Sequence, residues 1–399
     1  MATTSLIHTL TRFNLFHGFK PEEVLKILAS GKIVQLKPGD VLITPGASND
    51  TLFLLVEGEL KVVLEKENAE VSIPILPGEC LGEMSLVVGA PTSALVVASQ
   101  LSQVLFIPEE TFWTQLATTR DGVRNLLGMM AVRLQRNNDA LIEKVEEQLK
   151  YQLLEKELET AGKIQSNIVP DGNHLFPERP EVDACALINQ AREVGGDFYD
   201  ALVLDDDHLF MAIGDVSGKG MPAALFMMRI FTSLRVLISN KTRFEDMLPS
   251  VNNMLARNND DMMFVSIFAG VLNVRTGVLR YVNAGHNPPF AALGGNGFKL
   301  LKPPKAALVG ISEQSRFPVS ELKMVPGDSL VLYTDGIPEA TNPEHLMFGA
   351  ERTRSVLNRS HPKTMNDLVL SLQAAVEAFV KNAPQHDDYT LFALRYHGH

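Results

Sequence analysis

Residues 212–220 read AIGDVSGKG, one aspartate and three glycines after a short apolar run. A phosphate-cradling loop, a metal site and a tight turn all compete to explain it. The spacing is not that of GxGxxG, and no Gly-Lys-Ser/Thr closes a Walker loop. What is left is Asp215 at the end of a predicted strand, beside small residues that let a backbone approach something closely. That favours an oxygen-ligand site with Asp215 as the ligand.

The design recurs downstream. VLYTDGI (331–337) sets Asp335 at a strand end, EVGGDFYD (193–200) sets Asp197 after two glycines, and PQHDDYTLFAL (384–394) sets Asp387 and Asp388 before a strand. An isolated Asp-Gly is usually only a turn. Four such sites in one segment, none with an evident Lys or Arg partner, weaken that reading. Clustered carboxylates repel unless hard cations neutralise them, and Mg²⁺ or Mn²⁺ takes such ligands.

Around these sites, residues 182–396 alternate predicted strands (208–216, 262–274, 277–286, 328–336, 388–397) with helices at 222–239 and 365–380. A hairpin turns at Arg275-Thr276-Gly277. Antiparallel strand pairs with helices set apart make this segment α+β. Upstream, 170–180 holds three prolines and marks a boundary. Residues 120–169 are rich in helix formers, with Leu154, Leu158, Ala161, Gln165 and Ile168 in 4-3-4-3 spacing, interrupted upstream by Asn138 and Gln148. This predicts a long amphipathic helix, either a short imperfect coiled coil or one helix packed on its own domains. Residues 1–119 open with a helix placing Val24, Leu25 and Leu28 on one face and stopping at Gly31. Short alternating runs between turns then predict a β-sandwich or barrel. The expected organisation is therefore a sensor-type domain (1–119), a helical linker (120–169) and an α+β domain (170–399).

Composition narrows the class. Across 399 residues, 45% are hydrophobic, 21% are charged and the net charge is −11, with no basic cluster. Nucleic acid and anionic membranes are excluded as main partners. Cys80 and Cys185 are far apart and outside any CxxC pair, so both are read as small buried apolar residues. The N-terminus lacks a signal-peptide pattern, and no run approaches the ~20 apolar residues of a membrane span. A reducing, cytoplasmic setting is expected.

The C-terminal segment resembles the metal-dependent, type 2C-like serine/threonine phosphatases in their SpoIIE branch. AREVGGDFYD, AIGDVSGKGMPAALFM, MFVSIFAGVLN, YVNAGHNPP, PGDSLVLYTDGIPEATNP, Phe348-Gly349 and HDDYTLFALR follow that family's order, and ELETAGKIQSNIVP resembles its preceding helix. The resemblance implies a β-sandwich flanked by helices with two Mn²⁺ or Mg²⁺ ions at one end. Asp215 would bridge them, with the Val216 carbonyl, Asp197, Asp335 and Asp387 completing the ligand set. Asp388 is left to capping or solvation. Two such ions ~3.5–4 Å apart lower the pKa of a shared water and offset phosphoryl charge, so no Ser or Cys nucleophile is needed. Arg192 is a candidate phosphate contact, and His286 a loop support before it is a general acid. KAALVGIS (305–312) departs from the family's Pro-Leu-Gly-Ile turn.

Residues 6–115 resemble cyclic-nucleotide-binding domains, on FHGFKPEEVLKILAS, KPGDVLITPGASNDTLFLLVEGELKVV and PGECLGEMSLVVGAPTSALVVAS. In that family the stretch matching LGEMSLVVGAPTSA cradles the cyclic phosphate, which assigns Gly82, Glu83, Ser85 and Ser93 here. Thr92 stands where the family has a phosphate-binding arginine. Losing that charge-assisted bond costs roughly 1.5–3 kcal/mol, about 10- to 150-fold in affinity. The domain therefore binds cAMP or cGMP weakly, binds another ligand, or acts as a scaffold. The expected whole is a ligand-regulated protein phosphatase, dimeric through the linker, acting on a phosphorylated anti-anti-sigma-type regulator. Its rivals are a degenerate phosphatase-like scaffold and a ligand-sensing binding protein. A transcription factor is disfavoured because no helix-turn-helix is found.

Overall fold

The computed structural model describes residues 8–66, 69–257, 259–304, 306–360 and 362–399. The stretch read for a signal peptide lies partly outside them, as does Lys305 of KAALVGIS. The chain divides into two compact units, one ending at Leu149 and the other running from Lys150 to His399.

In the first unit, helix α1 (Pro21–Ser30) precedes eight strands: β1 (Lys32–Leu36), β2 (Val41–Ile43), β3 (Thr51–Glu57), β4 (Leu60–Lys66), β5 (Ala69–Ile75), β6 (Cys80–Leu81), β7 (Leu95–Ala98) and β8 (Ser102–Pro108). They form two four-stranded sheets, β1-β8-β3-β6 and β2-β7-β4-β5. Strand β3 shows why. Side chains alternate along a strand, so Phe53 and Leu55 enter the core between the sheets. Leu52, Leu54 and Val56 face the other way, against Val24, Ile27 and Phe112. Both faces are apolar, and both are covered. The face expected of α1 needs correction: Val24 and Ile27 are buried and Leu25 is 41% exposed. Between β6 and β7 lies the short helix α2 (Glu83–Val88).

Helix α3 (Arg120–Ser166) is continuous, and the boundary between units falls within it. Leu134, Leu141, Leu149 and Leu154 are exposed along it, whereas Gln165 is buried.

The second unit contains β9 (Val182–Asn189), β10 (Phe198–Val203), β11 (His208–Val216), helices α4 (Met221–Ser239) and α5 (Phe244–Ala256), β12 (Val265–Asn273), β13 (Val278–Ala284), β14 (Phe290–Ala292), β15 (Lys299–Leu300), β16 (Ser320–Lys323), β17 (Ser329–Tyr333), helices α6 (Gly349–Arg359) and α7 (Met365–Val380), and β18 (Tyr389–Tyr396). Two five-stranded antiparallel sheets result, β10-β11-β12-β13-β16 and β15-β14-β17-β18-β9. Leu209, Met211 and Ile213 of β11 meet Leu332, Phe392 and Leu394 between the sheets. Outside, α4 and α5 cover the first sheet, while α6 and α7 cover the second. The layers run helix, sheet, sheet, helix, which is why the central strands read as nearly unbroken apolar runs.

Residues 221–239 are long and apolar enough to cross a membrane by length and composition, contrary to the expectation that no run approaches this. The apolarity has a local cause, since Phe226, Met227, Ile230 and Phe231 are buried in the core. One polar clamp fixes this helix. Arg235 donates to both oxygens of fully buried Asp200 at 3.0 and 2.8 Å and lies over the Phe231 ring. Cys80 and Cys185 are free and buried, as expected.

Candidate functional site

The carboxylates collect where both sheets end together. Asp215 lies near the end of β11, opposite Ser266 of β12, and Asp197 immediately precedes β10, whose Phe198 pairs with Gly214. On the facing sheet, Asp335 follows β17, and Asp387 and Asp388 precede its neighbour β18. Asp215, Val216, Asp335 and Asp387 line one cleft of about 300 Å³, together with Lys219 and His286.

The glycines around these aspartates make the convergence possible: Gly336 and Gly196 approach other backbone, Gly214 a core ring and Gly195 the Asp388 carboxylate. A Cβ on Gly336 would stand 2.0 Å from the Asp388 carbonyl oxygen, and one on Gly214 2.5 Å from the Phe198 ring. Gly218 differs: its φ of +90° in open space makes the loop before α4.

Electrostatically, the cluster is under tension. Burial pushes the Asp215 carboxyl up to about 7, helped by the charges of Asp335, Asp387, Asp388 and Glu339. Asp197 is raised well above the usual range, first by burial and then by Asp215. Asp335 is raised by burial, Glu339 and Asp387. Both Thr334 and Thr390 donate their hydroxyls to Asp197 Oδ2, at 2.7 and 2.8 Å. That fixes the carboxylate and leaves Oδ1 for other work. Sequence reasoning missed these threonines; the one local signal is that Thr334 adjoins Asp335.

Asp388 is spent elsewhere. It accepts from the backbone N–H groups of Ala191 and Gly196, at 2.8 and 3.0 Å, so it clamps the loop that carries Asp197. The same loop is held from α3. Gln165 donates to the Gly195 carbonyl at 2.7 Å and accepts from the Gly195 N–H at 3.1 Å. A Cβ on Gly162 would fall 1.9 Å from the Glu193 carbonyl oxygen. Arg192, on this loop, is exposed.

One expectation fails. Asp387 does have a basic partner: Lys219 Nζ lies 2.8 Å from Asp387 Oδ2 and donates to the His386 carbonyl at 2.6 Å. Both side chains are nearly half exposed, and ion pairs in that setting contribute only about 0–1 kcal/mol. A pair of that strength would yield to a divalent cation bound at Asp387. Among the described residues no three His, Cys, Asp or Glu side chains close on a single point as they stand; the carboxylates surround a cleft. Their oxygens are nonetheless the hard donors that Mg²⁺ and Mn²⁺ prefer, and their mutual repulsion is what such ions would relieve.

His286 is buried, with Nδ1 2.8 Å from Ser266 Oγ. Its Nε2 is buried as well. Burial lowers its pKa to about 4, so it is neutral at pH 7 and has no proton to give as an imidazolium. Its backbone N–H donates to Asn283 Oδ1, the contact of a residue that supports a loop.

In the first unit the nucleotide-cradle residues are largely engaged. Glu83, 4% exposed, pairs with Arg133 of α3 at 2.8 Å, and Arg133 also donates to the Cys80 carbonyl. Burial raises the Glu83 pKa despite that partner. Thr92 donates its hydroxyl to the Thr44 and Ala47 carbonyls. Ser85 is buried and Ser93 exposed. Gly82, at φ +82°, precedes α2. Of the five, Thr92 alone lines one cavity of roughly 620 Å³ in this unit.

Comparison with known proteins agrees with this division. Residues 205–397 match the stage II sporulation protein E (SpoIIE) family, and residues 33–119 the cyclic nucleotide-binding domain. Protein IcfG of Synechocystis is 32% identical over 266 residues, 60% of this chain and 41% of that protein. The phosphoserine phosphatase RsbU of Bacillus subtilis is 28% identical over 251 residues, 61% of this chain and 71% of that protein. This chain thus spans well under half of IcfG. The SiaA PP2C domain of Pseudomonas aeruginosa superposes with a TM-score of 0.55 at 21% identity, covering 62% of this chain and 98% of that one. The second unit therefore has the PP2C fold.

Proposed function

We propose that this chain, which joins a cyclic-nucleotide-binding-type domain to a domain of the SpoIIE family, hydrolyses phosphoserine or phosphothreonine on a protein with the help of two Mn²⁺ or Mg²⁺ ions. The observation that carries this reading is the convergence of Asp215, Asp335 and Asp387 on one cleft, with Asp197 close enough for the Asp215 charge to raise its pKa. Asp197, Asp215, Asp335, Asp387 and the Val216 carbonyl would hold the ions. When bound, such ions supply an activated water and offset charge on a phosphoryl group.

The chain's own residues organise the rest. Thr334 and Thr390 orient Asp197. Asp388 and Gln165 hold the loop before it. Exposed Arg192 is free to meet the phosphate from that loop. RsbU is a phosphoserine phosphatase by name, and a phosphorylated regulator of the anti-anti-sigma type is the proposed substrate. The decisive assay is Mn²⁺-dependent hydrolysis of p-nitrophenyl phosphate and a phosphoserine peptide by the full chain. Loss of both activities in Asp215→Asn supports the enzyme. No hydrolysis in any metal would favour the scaffold reading, in which the Lys219–Asp387 pair stands in for a cation.

Regulation is assigned to the first domain and to α3. Its exposed leucines fit a dimer through the linker, which light scattering showing a monomer would rule out. A cyclic nucleotide would have to take Glu83 from Arg133 and find no phosphate partner at Thr92. Calorimetry with cAMP and cGMP tests this; an unchanged heat signal ends the cyclic-nucleotide idea in favour of another ligand.

A further inference from the structure

We propose that a groove beside the cleft receives an apolar side chain of the substrate polypeptide, near the phosphorylated residue, and so selects which phosphoprotein is hydrolysed; this rests on the phosphatase reading above. The groove has a volume of about 460 Å³. Val376 and Val380 of α7, with Tyr389 and Met347, give it an apolar lining. Val376 and Tyr389 are buried at its base, while Met347 is 59% exposed.

Its place commits it to the substrate. Lys219 and Asp387 line both the groove and the cleft, so the two cavities share a wall. A chain whose phosphorylated side chain enters the cleft passes the groove within a few residues, at ~3.3 Å per residue when extended. The lining carries both signs, Glu339, Glu377 and Asp387 against Lys381 and Lys219. Selection there rests on apolar burial and not on charge. Unusual backbone flanks the groove. Lys381 and His345, at φ +56° and +59°, turn the chain beside α7 and before Met347. Non-glycine residues in this region cost about 1–2 kcal/mol. Held strain of this kind concentrates where a surface must keep a given shape.

The test uses the full chain with Mn²⁺ and two synthetic phosphoserine peptides. One carries leucine at the second and third residues on both sides of the phosphoserine; the other carries alanine there. We expect the leucine peptide to show at least tenfold higher kcat/KM, about 1.4 kcal/mol. Met347→Glu should reduce that preference to threefold or less, read as the ratio between the two peptides. The peptide comparison needs no variant, so a misfolded Met347→Glu does not blunt it. Equal kcat/KM for both peptides overturns the groove while leaving the phosphatase reading intact, and so does an unchanged ratio in a folded Met347→Glu. Failure to hydrolyse either peptide or p-nitrophenyl phosphate overturns both.

Discussion

Removing divalent metal should invert the usual response of the C-terminal unit to acid. The perturbation is exhaustive chelation, followed by a fall from about pH 7.5 to about pH 5.5. Asp215 is held up at about 7 by burial and by neighbouring carboxylates, against about 3.9 in an unfolded chain. A folded-state pKa raised in this way favours the folded form while the group is protonated. Its contribution is fully present below the unfolded value and is lost as pH rises through about 7. Across that interval Asp215 alone returns about 2 kcal/mol, from 1.36 kcal/mol per unit of pKa difference. The raised Asp197 and Asp335 act in the same direction. For a unit of this size, each kcal/mol is worth about 2–4 °C in Tm, so a rise of about 4–8 °C is expected on acidification. With saturating Mn²⁺ the slope reverses, because protons compete with the metal for carboxylate ligands. Scanning calorimetry of the full chain is the assay. Trp113, the single tryptophan, lies in the first unit and reports on that unit instead. A metal-free C-terminal transition that falls steadily with acid, or the same slope with and without Mn²⁺, refutes the reasoning.

Three further outcomes are expected. Thr334→Val and Thr390→Val each remove a donor to Asp197 Oδ2, and should raise the Mn²⁺ concentration for half-maximal activity 10- to 100-fold, the range for groups that orient a ligand; an unchanged metal titration would assign those hydroxyls a purely structural role. Lys219→Gln frees Asp387 from a half-exposed pair and should tighten metal activation by no more than about fivefold, since such pairs contribute about 1 kcal/mol at most; a large loss of activation would show that the lysine belongs to the substrate site. Arg235→Ala strands the buried Asp200 carboxylate and should destabilise the C-terminal unit by about 3–5 kcal/mol, with Asp200→Ala in the same chain recovering part of it. An additive double mutant in calorimetry would mean that the pair is not coupled.

The elements legible in the sequence are those whose cause is local. The strands at 208–216 and 389–396 showed as long apolar runs because each is buried on both faces. The turn at Arg275-Thr276-Gly277 was readable because β12 and β13 are joined through it. The aspartates stood out because each needs a glycine or a strand end beside it. What escaped the sequence depends on partners far along the chain. Asp197 meets Thr334 and Thr390, Lys219 meets Asp387, and Asp388 meets Gly196. No periodicity encodes such pairings.

Gln165 shows how a local pattern can hide a non-local cause. It occupies a position in the 4-3-4-3 spacing with Leu154 and Leu158. In the folded chain Leu154 is exposed and Gln165 is buried, so the apolar pattern and the burial part company. The amide is there because Gly195 offers one N–H and one carbonyl, and only a side chain with both a donor and an acceptor satisfies the two together. Gly162, one turn earlier, lets the helix reach that loop at all. The loop ends at Asp197, whose carboxylate is held from the opposite sheet. The end of α3 is therefore joined to the loop of a candidate ligand through two hydrogen bonds and one backbone contact. The helix end is thus tied to the candidate site by polar geometry, while Leu134, Leu141, Leu149 and Leu154 along it are exposed.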